Sequence, residues 1–369
     1  MPRTLNLLLA LAVLAAACGG SDTPTDATAT TTTAAPTTRS TTTVAPEATT
    51  TDTTAAPTTV STTTIGTVDP VDDGNPTARI LFSVSVQDFG HPDESARLLD
   101  RLIDLHEQTG VPVDVYLTDD MARILAADHP DLADRLANSP VVAISYHVRP
   151  PRPYGSANDW LGLGDMDATE LRSTIFRYES HAVDPVTGET TADPGGYQFV
   201  TGLIGHPPLA AAAAPSDPAV ATATRDVFAE LGAVFTTTHG RSPHLGDTLD
   251  GLLIRPEQAE VRLWEHRGED GGDVLDATAT RTADQGGGET PFIGVKIHDN
   301  DFFATASSWV TVYVQDRRQP PWDPTLVAPL LTTGEMDAMW ATYETTVHRV
   351  ADRDDLEGLN LAALANGDG

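Results

Sequence analysis

The side chains best suited to chemistry in this sequence are acids and imidazoles at the ends of hydrophobic runs. Asp88 ends a run that starts at Ile80, and His91 follows on the same stretch, ahead of Pro92. His147 closes the run 141–147, and His298 closes 292–298, followed by Asp299, Asn300 and Asp301. A hydrolytic metal centre needs about three protein ligands and one open position for water. Asp88, His91 and His147 offer a carboxylate and two imidazoles, a set suited to a divalent metal, zinc first. His91 serves equally well as the residue that opens a helix, and His298 as a buried, hydrogen-bonded strand histidine. A glycoside hydrolase would instead need two carboxylates flanking one bond, and Asp88 with Asp299 is the pair available for that. The sequence has no Gly-x-Ser-x-Gly elbow, no phosphate-binding Gly-rich loop and no Cys-x-x-Cys, which argues against a serine hydrolase, an NTPase and a thiol-redox protein.

These residues must be held by strands and helices in alternation. Strands are predicted over 79–87, 112–118, 141–147, 209–214, 233–238, 252–255, 261–265 and 292–298. Helices are predicted over 92–109, 121–127, 131–138, 168–180, 197–204, 218–231, 274–283 and 334–351. The segments 148–165 and 184–196 read as loops, 309–314 as extended chain and 359–360 as a last strand. Strands alternating with helices of this length predict an α/β fold with a parallel sheet, and the span suits one (β/α) barrel. A doubly wound open sheet is the alternative, without the Gly-x-Gly-x-x-Gly that would favour it.

The strands alternate in character. Val84 and Val86 interleave with Ser83, Ser85 and Gln87; Val113, Val115 and Leu117 with Asp114, Tyr116 and Thr118; Val295 and Ile297 with Lys296 and His298. The aliphatic face belongs under the helices and the polar face inside the barrel. His147 and His298 then sit at the carboxyl end, where barrel sites lie. Lys296, the only lysine, points inward with Asp114 as partner, or snorkels to the surface. Aromatic residues collect near that end: Tyr146, Tyr154, Trp160, Trp264, Phe302, Phe303 and Trp309. Such rings suit sugar faces, although loop core is their commoner use. Tyr154, Trp160, Lys296 and Asn300 are the candidate substrate-binding residues. Less specific clusters are Tyr178–His181, His239–Arg241 and Glu265–His266.

The first residues differ in kind. Residues 1–18 read as a secretion signal: Arg3, then an apolar run from Leu5 to Ala17 that is too short to span a bilayer. Small residues before Cys18, the only cysteine, resemble a bacterial lipoprotein signal. That resemblance implies lipidation of Cys18 and an exported chain anchored to the cell membrane, facing outside the cytoplasm. The alternative is an ordinary signal with an incidental cysteine. Residues 19–77 read as a disordered Thr/Pro/Ala-rich linker, since 22 of the 44 residues in 21–64 are threonine. The folded domain spans 78–369. The chain carries 53 acidic and 22 basic side chains, a net charge of −31; beyond residue 78 the counts are 46 and 20, a net of −26. A field of this sign excludes a nucleic-acid binder held by phosphate contacts, and leaves the N-terminal lipid as the only predicted attachment to a membrane.

The run 80–89 resembles the first motif of the polysaccharide deacetylase (NodB-homology) family, in which a hydrophobic strand ends in acids serving as catalytic base and metal ligand. The segments 95–117, 141–147 and 292–300 are similar to that family's later strands. The resemblance implies a NodB-like (β/α) barrel, with Asp88 as base and ligand, His298 protonating the leaving group and Asp299 or Asp301 orienting it. The sequence departs from the pattern: Ser85 and Gln87 are neutral where acids pair, Pro151 stands where a second histidine follows His147, and Ala212–Asp217 lacks the arginine. The function expected is metal-dependent hydrolysis of an acyl group on a carbohydrate. The alternatives are a non-catalytic glycan- or envelope-binding protein on the same fold and, third, a glycoside hydrolase on a related barrel.

Overall fold

The computed structural model describes residues 76–156, 158–238, 242–285 and 289–367. The signal and most of the linker, with Cys18, and the cluster 239–241 lie outside these residues. The chain order begins β1 (Ala78–Val86), α1 (Pro92–Thr109), β2 (Val113–Leu117), α2 (Asp119–Asp128), α3 (Pro130–Asn138), β3 (Val142–His147). It continues α4 (Ala168–Tyr178), β4 (His181–Val183), β5 (Thr190–Pro194), α5 (Gly196–Ile204), β6 (Ala210–Ala212), α6 (Pro218–Leu231). Next come β7 (Phe235–Thr236), β8 (Thr248–Leu249), β9 (Leu252–Ile254), β10 (Ala259–Arg262), α7 (Gly271–Gln285) and β11 (Phe292–His298). The last elements are α8 (Ser308–Thr311), α9 (Thr333–Ala351), β12 (Leu356–Leu359) and α10 (Leu361–Asn366).

The sheet runs β10-β11-β1-β2-β3-β6-β7-β9-β8. Its neighbours are parallel except β8 and β9. Read from β1, the parallel strands follow one another in chain order round to β11, so the sheet curls as a (β/α) barrel. No pairing among the described strands joins β9 to β10, and the barrel is open along that seam. The upper half of β1 pairs with β2, while its lower half pairs with β12.

The alternation in the strands has the expected consequence. Val84, Val86, Val113, Val115, Leu117, Ile144, Val295 and Ile297 are buried in one large cluster with the helices. Helix α1 is typical of that layer. Pro92 opens it, Asp93 and Glu94 suit its positive end, and Gly110 at φ 71 closes it in the left-handed conformation that favours glycine. Its Leu98, Leu99, Leu102 and Ile103 face the sheet. The inward positions lower in the barrel form a second cluster, in which Leu81, Tyr116, Ala210, Ala212 and Phe292 meet Leu359, Leu361 and Leu364. The last helix thus plugs the amino-terminal end.

Three expectations are corrected. Residues 309–314 begin as helix α8, because Val312 and Tyr313 are wanted in a third apolar cluster with Trp322; tertiary packing overrides β-propensity there. The loop 184–196 contains strand β5, which pairs antiparallel with β4. The final strand begins earlier, at Leu356, and Asn360 caps α10 by accepting from the Ala363 amide at 3.0 Å. Among the described residues no helix is long and apolar enough to cross a membrane.

Candidate functional site

The carboxyl ends of β1, β2, β3 and β11 meet at the mouth of the barrel. Register places Ser85 beside both His298 and Tyr116, and Ser83 beside both Lys296 and Asp114. The inward row therefore rises from Ser83 through Ser85 to Gln87, with His298 one strand away.

Asp299 is not at the surface of this mouth. It is 0% exposed, and its Oδ2 accepts from the amides of Gln87 (3.1 Å) and Asp88 (3.0 Å) and from Ser95 Oγ (2.8 Å). Its Oδ1 accepts from the Asn300 amide at 2.9 Å. Asp299 ties the ends of β1 and β11 to the start of α1, which corrects its expected catalytic role. Burial, then the charge of Asp88, pushes its carboxyl up to about 7, against the pull of these hydrogen bonds.

Asp88 is also 0% exposed. Its Oδ1 accepts from the Gly90 amide at 3.1 Å and from the Ser308 hydroxyl. Its Oδ2 lies 3.6 Å from His91 Nδ1, and neither atom has a hydrogen-bond partner. Two of the three expected metal ligands therefore meet, but His147 does not join them. Among the described residues no group of three or more His, Cys, Asp or Glu side chains is placed to hold a metal ion. The expected set of Asp88, His91 and His147 is corrected accordingly: the loop that follows β1 folds back on α8 rather than towards β3. Two ligands do not fit the three that a hydrolytic zinc site needs.

His298 has the most open geometry. Its ring is 24% exposed, and Nδ1 donates to Asp301 Oδ2 at 2.9 Å. A carboxylate only accepts, so Nδ1 carries the proton in this pair. The neighbouring short helical turn, Asp299–Phe302, turns Asp301 rather than Asp299 onto His298. Trp264 packs against the imidazole with centroids 4.9 Å apart. A chain of side chains runs from this pair across the mouth. Asn300 Nδ2 donates to Asp301 Oδ1 (3.2 Å), Gln87 Nε2 to Asn300 Oδ1 (3.2 Å), and Arg149 Nε to Gln87 Oε1 (2.7 Å). The Arg149 guanidinium lies 4.8 Å from the Trp309 ring. Asn300, 6% exposed, holds this chain together instead of offering a free amide to a substrate.

Lys296 does not reach Asp114. Its Nζ donates to Glu257 Oε1 (2.8 Å) and Glu260 Oε2 (3.1 Å), residues at the open seam beside β10. β1 stands between Lys296 and Asp114, and strands lie about 4.8 Å apart, so the seam acids are nearer. Asp114 instead accepts from the Leu361 amide at 2.9 Å, and burial raises its carboxyl to about 7 despite Arg255 nearby. Arg255 fills the seam, donating to Leu81 O at 2.8 Å and pairing with Glu257.

Of the other candidates, Tyr154 is fully buried, with its hydroxyl donating to Glu179 at 2.6 Å, so it is core rather than a sugar platform. Trp160 packs edge-on against Trp322 at 4.9 Å in the third apolar cluster. Tyr178 and Glu179 are buried, and Glu265 and His266 stand on an outer turn. Sequence reasoning missed Arg149, Arg152, Asp120, Ser308, Arg255 and Glu257. Asp120 and Arg255 follow strand ends, the same signal that singled out His147.

No protein-family model matches the chain, and no curated protein matches it. Solved structures do. The chain is similar to a probable polysaccharide deacetylase from Pseudomonas aeruginosa PAO1 at 12% identity and TM-score 0.47, covering 79% of this chain and 91% of that one. It is similar to the 4-alpha-glucanotransferase from Thermococcus litoralis at 9% identity and TM-score 0.44, covering 78% and 40%. It is also similar to peptidoglycan deacetylase PdaC from Bacillus subtilis at 9% identity and TM-score 0.34, covering 80% and 94%. At these identities the likenesses concern the course of the chain, and the chemistry of the mouth rests on its own residues.

Proposed function

We propose that this is an exported carbohydrate-binding protein that holds a sugar at the barrel mouth without hydrolysing it. The observation that carries the reading is the state of the two acids a hydrolase would use: Asp88 and Asp299 are both 0% exposed and hydrogen-bonded into the framework. Asp299 has four donors, and Asp88 keeps only Oδ2 without one, 3.6 Å from His91 Nδ1; neither carboxyl is exposed at the mouth. What remains accessible is suited to binding. Trp264 and Trp309 are half-buried at the mouth, beside a guanidinium and an imidazole. Indole faces take the apolar faces of a sugar, and the polar heads take its hydroxyls. A net charge of −26 beyond residue 78 favours a neutral or cationic sugar over a polyanion. In the same reading a lipid on Cys18 and the Thr-rich linker hold the domain outside the cell membrane.

One observation favours a second reading. The pairing of His298 Nδ1 with Asp301 at 2.9 Å is the arrangement of an oriented general acid, and would serve a deacylase-like hydrolase. Incubation of the purified protein with a fully acetylated chito-oligosaccharide, with and without added zinc, separates the two. The binding reading predicts no acetate above the blank. Steady acetate release that disappears in His298→Asn would establish the hydrolase.

A further inference from the structure

Large apolar side chains are exposed at eight positions among the described residues, and three of them, Leu326, Val327 and Leu330, fall within five residues. They are 44%, 49% and 47% exposed. The backbone beneath them is fixed. Ala328 is 5% exposed and belongs to the main core. The Thr305 amide donates to Pro329 O at 3.0 Å, Ala304 and Leu330 form an antiparallel bridge, and the Leu331 amide donates to Phe303 O at 2.8 Å. Residues 303–305 follow the turn Asp299–Phe302, which carries Asp301 to His298. On its other side the stretch meets the chain after β1: a Cβ on Gly90 would stand 3.2 Å from Val327 Cγ1 and 2.6 Å from Ser308 Oγ. Phe89 precedes Gly90 and Trp309 follows Ser308, and both rings are half-buried against the third apolar cluster. Residues 326–330 therefore form an apolar lip bordering the mouth, held by the His298 turn on one side and by the segment before Trp309 on the other.

Covering such side chains is favourable in proportion to the apolar area taken from water. Size and charge decide what covers them. Three partly exposed side chains offer much less than the about 800 Å² per partner of a stable protein interface. A second copy would also bring a second net charge of −26 against the first. An anionic membrane surface is a poor match as well: residues 319–348 contain no lysine or arginine, and Asp323, Glu335 and Asp337 flank the lip in sequence. Residues 324–334 carry no charge at all. A short uncharged aliphatic chain, laid along the lip with its head at the mouth, meets both conditions. We infer that the lip Leu326–Leu330 holds an aliphatic chain carried by the bound sugar, so that, resting on the carbohydrate reading, the preferred ligand is an uncharged glycolipid rather than a free sugar.

The test uses the full chain carrying Cys18→Ala, so that no lipid of its own competes. Methyl and octyl glycosides of N-acetylglucosamine, and 1-octanol, are titrated below their aggregation limits and followed by saturation-transfer NMR. The octyl glycoside should bind about tenfold or more tightly than the methyl glycoside, with transfer to its alkyl protons. Leu326→Ser combined with Leu330→Ser, both at exposed positions, should remove that advantage. Equal binding of the two glycosides, or an octyl advantage that survives in the double variant, would overturn the lip. So would dimerisation in sedimentation equilibrium, or binding to phosphatidylcholine vesicles, that is lost in the double variant, since the surface would then belong to a second copy or a membrane. Should the double variant not fold, the octyl against methyl comparison and Leu330→Ala alone still decide. Octanol bound by the parent chain and lost in the double variant, with no transfer to the sugar protons of either glycoside, would strike the carbohydrate reading alone; two glycosides bound equally would strike the lip alone.

Discussion

Asp299 shows how one residue can look catalytic and be structural. It follows the histidine of a barrel strand and is acidic, yet four donors converge on it in a fully buried position. Asp299→Ala would leave those groups without an acceptor, each at about 1–3 kcal/mol. The expected loss in urea denaturation is therefore about 3 kcal/mol or more, with Asp299→Asn losing less because one acceptor oxygen remains. A loss below about 1 kcal/mol for the alanine variant would show that the anchor is unimportant. The inward direction of His298 is legible from the alternation of polar and apolar residues along its strand. The choice between Asp299 and Asp301 is not legible in the same way, because a short helical turn after the strand decides which carboxyl reaches the imidazole. Nor is Asp88's hydrogen bond to Ser308, which depends on a contact between residues 220 apart.

At the level of elements, the order of strands and helices is legible from periodicity, and so is the layer of helices on the aliphatic face. The open seam is not, since nothing in 252–262 marks two strands that fail to pair. The seam is filled by ions instead of backbone hydrogen bonds: Arg255, Glu257, Glu260 and Lys296. Gly294 makes room for them. A Cβ there would collide with Glu257 Oε2 and come within 3.1 Å of Arg255 Nη1. Gly294→Ala is thus expected to displace the Arg255–Glu257 pair and cost about 2–4 kcal/mol by thermal or urea unfolding. A change within about 0.5 kcal/mol would mean the seam is loose enough to absorb a methyl group. The stretch 309–314, expected to be extended, has the same cause in reverse: a β-prone sequence becomes helical where Tyr313 and Val312 are needed in an apolar cluster.

For the whole molecule, the acidity reaches inside. Burial raises the carboxyls of Asp114 and Asp299 from 3.8 to about 7. Between those values the folded chain holds protons that the unfolded chain has released, so stability falls as pH rises through that window and levels off above it. Asp120 is raised to about 7 in the same way. Burial of His106, lowered to about 4 from 6.5, works in the opposite direction over the lower part of the window, one group against three. The urea midpoint should accordingly be higher at pH 6 than at pH 8, and the difference should shrink in Asp114→Asn; a midpoint that rises with pH would contradict this. On the proposed carbohydrate reading, the same negative charge should disfavour polyanions and favour neutral or cationic sugars. The proposed function requires a mouth that binds a carbohydrate and leaves it intact. The decisive experiment titrates a partly deacetylated chito-oligosaccharide into the full chain, follows tryptophan fluorescence and determines the mass of the recovered ligand by mass spectrometry. Saturable quenching is expected, lost in Trp264→Ala, with the recovered sugar unchanged in mass. No saturation, or a recovered sugar that has lost acetyl groups or been cut, would refute a binding mouth of this kind.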